Sequence, residues 1–360
     1  MNGTSLLRCA AALAAAILIT TALTACGDMP SDPSSTVSTA PSTTQTVPTT
    51  TAAPKLGLNA LTGLRDMETD NDRPIGFVVT DETANLTQLN LESADLYFEA
   101  ETEAGIPRIL AIYASVDRIP ERIGPVRSAR PHFVKIAQAL DCIYCHIGGS
   151  DTGLKTIHAL GVDDMTGAYV KDPTLTASKN YSWNRSAFTR EKVNDKIRRK
   201  KLRTKSEDLV SPFSFGTQAG DRPAATVDVK ISEAYNIAFT YDAASGLYQK
   251  HRNALSTAVH KTATGGTIEA ANVIVMFDRR FMDEMYTDSN GHTAPRYDFD
   301  LKEGVGLLAS GGTARDIRWT RSSGGLLFFE QDGSAPLVVS PGKTFICLAS
   351  STLQNRTKVQ

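Results

Sequence analysis

The pattern of apolar and polar residues divides the chain into four parts. An apolar run, Ala10 to Leu23, is followed by a long stretch without apolar clusters. From about Leu56 apolar runs alternate with helical patterns, and from about Thr226 short alternating runs are separated by turn dipeptides. These changes predict a leader (1–25), a tether (26–55), an N-terminal domain (56–210) and a C-terminal domain (222–352).

The N-terminal domain alternates strand-like and helix-like patterns. Continuous or period-two apolar runs predict strands at 75–79, 96–101, 108–113 and 141–147. Apolar residues at helical spacing predict a helix that begins near Ala129, with Ser128 as its N-cap. Two more helices are predicted at 152–160 and 189–201. In the C-terminal domain, turns such as Ser245-Gly246 and Asn290-Gly291 separate short strands. The expected fold class is α+β, with a layered N-terminal α/β part and a β-rich, antiparallel C-terminal part.

The leader has the features of a signal peptide. One basic residue, Arg8, precedes the apolar run, which is shorter than the ~20 residues that a membrane-spanning helix needs. The run ends in Leu23-Thr24-Ala25-Cys26, which resembles the lipobox of bacterial lipoproteins. An ordinary cleavage site with a chance cysteine is the alternative. We expect Cys26 to carry the lipid and to anchor the protein on the extracytoplasmic face of the cell membrane.

The tether and the overall charge narrow the possible roles. Ser, Thr and Pro make up 18 of the 26 residues from Met29 to Pro54, a composition that cannot bury apolar surface. Such a segment would span ~28 Å as a flexible coil and ~80 Å as extended polyproline. Without the leader the chain carries 37 Lys and Arg against 39 Asp and Glu. A near-neutral balance argues against general nucleic-acid binding.

Several segments of the folded part are similar to one family. They are Arg108 to Tyr113, Ile123-Gly-Pro-Val-Arg-Ser-Ala-Arg-Pro131, Tyr144 to Ser150, Ala271 to Val275 and Pro341 to Ile346. Together they resemble the YerB-like lipoproteins over nearly all of residues 59 to 349. That family is described as a two-part domain of unknown function, and the resemblance therefore implies a fold but no reaction.

The segment around Arg127 and Arg130 is the main candidate for a ligand site. Two guanidinium groups flank a predicted helix N-terminus, where free N–H groups and the helix dipole favour an anion. A second predicted N-terminus follows Gly149 and Ser150, and the two would open on one sheet edge if the preceding strands are neighbours. The candidate ligand-binding residues are Arg127, Ser128, Arg130, Arg108, Arg185, His146, Gly149 and Ser150. Alternatively, the arginines pair internally with Glu99, Glu101 or Glu103. Arg130 is expected to point outward from the first helical turn.

Other motifs have more ordinary interpretations. Cys142-Ile-Tyr-Cys145-His146 matches a haem attachment signature, but a strand would point the two sulfur atoms to opposite faces. We therefore expect neither haem nor a Cys142–Cys145 disulfide, while the redox states of these cysteines and Cys347 stay open. Ser150, His146 and Asp151 could form a nucleophile and base, although adjacency alone does not make them converge. The basic stretch 190–205 could touch anionic polymers or form a solvated helix face. No cofactor and no metal site are expected.

Three functions are compatible with these features. The first is a cell-envelope lipoprotein that binds an anionic ligand, such as a wall polymer or its precursor. The second is an envelope hydrolase or transferase in which Arg127 and Arg130 stabilise charge. The third is a scaffold that binds another envelope protein. Internal pairing of every arginine would favour the scaffold.

Overall fold

Strands dominate the first half of the folded part. The computed structural model describes residues 56–81, 88–175, 186–207, 210–252, 258–287, 291–322 and 324–360; the leader, Cys26, the tether and Arg185 lie outside these ranges. The strands of the first half are β1 (Gly57–Leu58), β2 (Arg65–Met67), β3 (Ile75–Thr80), β4 (Leu96–Glu101), β5 (Pro107–Tyr113), β6 (Arg122–Ile123), β7 (Ile143–Cys145), β8 (Asp164–Met165), β9 (Tyr169–Lys171) and β10 (Ser186–Thr189). Its helices are α1 (Pro131–Ala139), α2 (Asp151–Leu160) and α3 (Arg190–Lys200), with 3-10 turns at Leu91–Ser93 and Val116–Arg118.

The second half is built from strands joined by turns. They are β11 (Ser214–Phe215), β12 (Arg222–Pro223), β13 (Thr226–Lys230), β14 (Asn236–Asp242), β15 (Leu247–His251), β16 (Glu269–Ala270), β17 (Asn272–Asp278), β18 (Arg280–Thr287), β19 (Thr293–Phe299), β20 (Glu303–Ser310), β21 (Thr313–Ser322), β22 (Gly325–Glu330), β23 (Val338–Val339), β24 (Thr344–Ser350) and β25 (Lys358–Val359). A 3-10 turn, Ser351–Arg356, follows β24. The predicted combination of a mixed first half and a strand-rich second half is confirmed at this level.

One large sheet takes strands from both halves. Its order among the described residues is β12-β21-β20-β17-β24-β4-β5-β3-β7-β8, with β22 added on β21. Strand β24 lies between β17 and β4 and is parallel to both. The strands at its centre are mostly apolar and buried along their whole length, as expected where both faces of a sheet are covered. Residues 54–360 form a single compact unit.

The two faces of the sheet are covered by different elements. A five-stranded sheet, β16-β15-β14-β13-β25, and helix α3 pack on one face. Helices α1 and α2 and the strand β22 pack on the other face. The segment around β7 confirms the predicted alternation. Cys142 and Tyr144 pack on the face that α1 and α2 cover, while Ile143 and Cys145 pack on the face that α3 and the five-stranded sheet cover. The thiols of Cys142, Cys145 and Cys347 are free and buried.

The predicted helices exist, and the beginning of α1 needs a correction. Ser150 caps α2 by accepting a hydrogen bond from the backbone N–H of Gly153 (3.0 Å), and Thr189 caps α3 in the same way. Helix α1, however, begins at Pro131, and its N-cap is Arg130 rather than Ser128. Proline disfavours helical backbone in the residue before it but fits the first helical position, so Arg130 stays extended. No described helix is both long and apolar enough to cross a bilayer.

Candidate functional site

The segments that precede α1 and α2 run side by side. Ala129 and Gly149 form a parallel bridge, and the N–H of Ala129 donates to the carbonyl of Gly148 (3.0 Å). Gly153 permits this approach, because a Cβ there would lie 2.9 Å from the carbonyl oxygen of Ala129. The two helix N-termini therefore open on one edge of the sheet, as the sequence predicted. We call the residues at this edge, Arg108, Arg127, Arg130 and Arg296 with the two N-termini, the arginine edge.

Two buried arginines share one carboxylate at this edge. Arg130 donates to Oε2 of Glu103 from Nε (3.0 Å) and from Nη2 (2.7 Å). Arg108 pairs with the other oxygen of Glu103 and also donates to the carbonyl of Ser128 (3.1 Å). The expectation that Arg130 points outward is wrong, since its side chain is 2% exposed. As the N-cap it has extended backbone, and its guanidinium reaches back to Glu103.

The charges of this cluster perturb one another. Burial opposes the ionisation of Glu103, but the neighbouring Arg108 and Arg130 outweigh it and lower the pKa of Glu103 to about 2. Burial and the like charge of Arg108 lower the pKa of Arg130 to about 10, although Glu103 acts in the opposite direction. Both shifts follow from placing two cations and one anion together out of water.

A two-stranded ribbon, β18–β19, adds a third arginine to the cluster. The backbone of Arg296 on β19 forms an isolated antiparallel β-bridge with that of Glu103. The guanidinium of Arg296 pairs with Oε1 of Glu284 (2.5 Å) and lies over the ring of Tyr286 (3.9 Å). The ribbon also brings Asp283, which accepts a hydrogen bond from Thr152 in the first turn of α2. Sequence reasoning missed the ribbon residues, because they follow the arginine segment by more than 150 positions and no local pattern connects them.

The other predicted site residues have local partners. The N–H of Arg127 donates to the carbonyl of Val78 (2.7 Å), and the side chains of Arg127 and Ser128 are half-buried. Nδ1 of His146 lies 2.7 Å from the carbonyl of Gly148, and its Nε2 lies 3.2 Å from Asp164. Arg127 and Ser128 therefore lie at the arginine edge, and Gly149 lies there too because it forms the bridge with Ala129. Arg185 lies outside the described residues.

The proposed nucleophile and base do not pair. The hydroxyl of Ser150 is occupied by the N–H of Gly153 and by Thr152 (3.2 Å). Both ring nitrogens of His146 contact Gly148 and Asp164 instead. Asp151 lies exposed in the first turn of α2, where the helix dipole favours a negatively charged carboxylate. The contacts of Ser150 and His146 are therefore those of a helix cap and a packed side chain.

One buried hydroxyl at the arginine edge has no acceptor for its proton. Oη of Tyr144 is buried beside the backbone N–H of Arg130, and no described residue accepts a hydrogen bond from it; Nε of Arg296 is likewise buried without an acceptor among the described residues. Burial raises the pKa of Tyr144, so the hydroxyl stays protonated and can donate. Buried polar atoms without partners commonly bind water or a ligand group.

A second buried charge cluster joins the two halves of the chain. Nζ of Lys250 on β15 lies 2.7 Å from Asp81, which follows β3, and 3.2 Å from Glu99 on β4. His260 and Arg252 complete the cluster, with Arg252 donating to Nε2 of His260 (2.9 Å). The sequence signal was available but weak: Lys250 occupies the same inward-facing strand positions as Tyr248, and both are fully buried.

The protonation of this cluster argues against nucleophilic chemistry. Burial raises the pKa of Glu99 to about 8, and the nearby Asp81 adds to that shift while Lys250 opposes it. Burial would lower the pKa of Lys250, but Asp81 and Glu99 outweigh it and raise the pKa. A lysine nucleophile needs a lowered pKa, and Lys250 stays a cation. The cluster is therefore an ion pair between Lys250 and Asp81, with Glu99 largely neutral near pH 7.

The principal grooves lie away from both clusters. One of about 790 Å³ is bordered by the first residues of the folded part and by Phe213 and Phe215. Another of about 410 Å³ lies over β20 and β21. Within the described ranges, no three His, Cys, Asp or Glu side chains are arranged to hold a metal ion.

Comparisons with known proteins give the family. Residues 61–207 match the domain described as "Protein of unknown function (DUF3048) N-terminal domain", and residues 227–346 match the corresponding C-terminal domain. YerB of Bacillus subtilis (strain 168), whose name describes it as a lipoprotein, is 27% identical over 299 residues, which cover 79% of this chain and 84% of YerB. The crystal structure of YerB from Bacillus subtilis has the same fold, with a TM-score of 0.68 at 24% identity over 84% of this chain and 99% of that chain. The chain belongs to the YerB-like family, whose members carry the two-part DUF3048 domain.

Proposed function

We propose that this protein is an extracytoplasmic lipoprotein, anchored to the cell membrane through Cys26, that binds an anionic group at the arginine edge. The ligand would be a phosphate- or carboxylate-bearing wall polymer or its precursor. The lipobox and the name of the relative YerB support the anchor. The observation that carries the binding proposal is that the buried guanidinium groups of Arg108 and Arg130 share one carboxylate.

The balance of charge at the arginine edge favours an anion. Among the described side chains, Arg108, Arg130 and Arg296 outnumber the carboxylates of Glu103 and Glu284 by one. The adjacent N-termini of α1 and α2 add further positive potential. An anion that approaches over the half-buried Arg127 and Ser128 would be attracted by both. Asp283, which accepts a hydrogen bond from Thr152, is a nearby carboxylate that opposes this attraction at the N-terminus of α2.

A protein-binding scaffold is the second candidate function. It is favoured by the carboxylate of Glu103, which already accepts hydrogen bonds from both Arg108 and Arg130. In a scaffold these pairs would lock the fold, and the partner would be another envelope protein. The two candidates differ in one measurable property, the affinity of the arginine edge for a free anion.

The anchor is tested by replacing Cys26 with alanine. The variant should leave the membrane fraction and enter the medium, because the acyl chains supply the hydrophobic attachment. Cell fractionation and immunoblotting measure the distribution. Cys9→Ala, which removes the cysteine inside the leader, is the matched control and should stay membrane-bound. Equal membrane retention of both variants would refute the anchor.

The anion site is tested by titrating the protein with inorganic pyrophosphate. Arg127→Gln should weaken binding about tenfold to hundredfold, because it removes a charge-assisted contact with the ligand. Isothermal titration calorimetry measures the affinity, and Lys261→Gln, at an exposed residue that forms a β-bridge with Thr267, is the control. Equal affinity of the wild type and Arg127→Gln, or no binding by either, would favour the scaffold.

A further inference from the structure

Helix α3 places three lysines in one row. Lys192, Lys196 and Lys200 follow one another at every fourth position, so they lie on one side of the helix, about 6 Å apart along its axis. The two apolar residues of the helix, Val193 and Ile197, are buried and leave this row at the flank of the helix. We call these three residues the lysine row.

The lysine row runs along the end of β8. Nζ of Lys200 donates to the carbonyl of Asp164 (2.7 Å), and Nζ of Lys196 donates to the carbonyl of Thr166. An ammonium group has three N–H donors, so one carbonyl leaves the others available. The lysine row is therefore held in place by backbone contacts while its charges stay at the surface.

A chain of contacts joins the lysine row to the arginine edge. Nζ of Lys200 lies 3.3 Å from Oδ1 of Asp164, whose Oδ2 lies 3.2 Å from Nε2 of His146. Nδ1 of His146 lies 2.7 Å from the carbonyl of Gly148, which accepts the N–H of Ala129. Strands β7 and β8 are parallel neighbours, so their carboxyl ends reach the same edge of the sheet. The two groups of cations therefore follow one another along that edge.

Helix α3 carries more positive charge than its surroundings compensate. Residues 190–201 include seven Lys and Arg but two acids. Asp195 is shared by Arg198 (3.4 Å) and Arg199 (2.9 Å), which are 77% and 78% exposed. In the lysine row, Asp164 is the one described carboxylate that forms an ion pair. Seven cations thus face three carboxylates, and the surplus attracts a ligand with several negative charges.

We propose that the ligand of the arginine edge is a linear polyanion, such as a chain of phosphate groups, whose further charges bind to the lysine row. This inference rests on the proposed function, because the arginine edge holds the first anionic group. It selects the polymer rather than a precursor with a single anionic group. A linear chain can contact both groups of cations in turn, which gives the second contact the advantage of an intramolecular event.

The experiment is a calorimetric titration of the full chain with pyrophosphate, tripolyphosphate and a long linear polyphosphate at constant ionic strength. Affinity per phosphate group should rise about tenfold or more from pyrophosphate to the long chain. The triple variant Lys192→Gln, Lys196→Gln and Lys200→Gln should bring this ratio close to one. The matched control replaces three exposed lysines elsewhere, Lys261→Gln, Lys302→Gln and Lys358→Gln, and should keep the ratio of the wild type.

The possible failures can be told apart. If the wild type does not bind pyrophosphate, the proposed function fails and the lysine row loses its role with it. If pyrophosphate binds but the ratio is near one, or is equal in the two triple variants, the anion site stands and the polyanion is refuted. Binding of phosphatidylglycerol vesicles that depends on the lysine row, without any gain from chain length, would assign the row to a lipid surface and overturn the proposal. Circular dichroism of both triple variants establishes that the fold is retained.

Discussion

Replacing Lys250 with methionine is expected to lower the free energy of unfolding by about 3–5 kcal/mol. The ammonium group is fully buried and lies 2.7 Å from the carboxylate of Asp81. Methionine keeps most of the packing of the lysine stem but leaves the buried Asp81 with only the more distant Arg252 (3.5 Å) as a counter-charge. Urea denaturation followed by circular dichroism measures the difference.

Two further variants separate the lost charge from lost packing. Lys261→Met, at an exposed position, should change stability by less than about 0.5 kcal/mol, as surface substitutions usually do. The double variant Lys250→Met with Asp81→Asn should recover part of the loss, because the stranded charge is removed as well. A loss of less than about 1 kcal/mol in Lys250→Met would mean that water reaches the cluster.

Replacing Glu103 with glutamine should cost about 3–5 kcal/mol and make stability depend on anions. Arg108 and Arg130 would lose the carboxylate that they share, and the buried guanidinium of Arg130 would keep no ion pair with a described carboxylate. Pyrophosphate should then restore stability, by about 2.7 kcal/mol at a concentration of 100 times its Kd. Denaturant unfolding with and without pyrophosphate, at constant ionic strength, measures both effects.

The control for this prediction is Glu233→Gln. Glu233 also pairs with an arginine, Arg356, but its side chain is 69% exposed, so little stability should be lost. The wild type should gain less from pyrophosphate than Glu103→Gln, because Glu103 competes with the anion. If Glu103→Gln unfolds at the same denaturant concentration with and without pyrophosphate, the arginine edge does not bind anions.

The parts of the fold that were predictable are those with local causes. Ser150 and Thr189 are caps whose partners lie three residues away, and the apolar spacing of α1 follows within one helix. The alternation of Cys142 and Cys145 follows from the two-residue period of a strand. Helix α1 begins two residues after the predicted position. Pro131 disfavours helical backbone at Arg130, and this steric effect outweighs the capping preference of Ser128.

The rest depends on contacts between distant residues. Arg130 and Glu103 are separated by 27 positions, and Lys250 and Asp81 by 169. A sequence shows that each of these residues is charged, but the strand order decides which charges meet. The same holds for the groove over β20 and β21, since its lining residues come from segments that are neighbours only after the sheet has formed.

The central position of β24 has a consequence for the order in which the chain can fold. This strand, Thr344–Ser350, provides the hydrogen bonds that join β17 to β4, although it follows β4 by more than 240 positions in the sequence. Until it has been synthesised, β4 and β17 each keep an open edge, and open edges are prone to pair wrongly. Closing the sheet also requires contacts between residues far apart in sequence, which slows folding. The strands of the N-terminal half therefore lack a neighbour until β24 has been synthesised, and a stop codon shortly before Thr344 would leave both halves without their common strand.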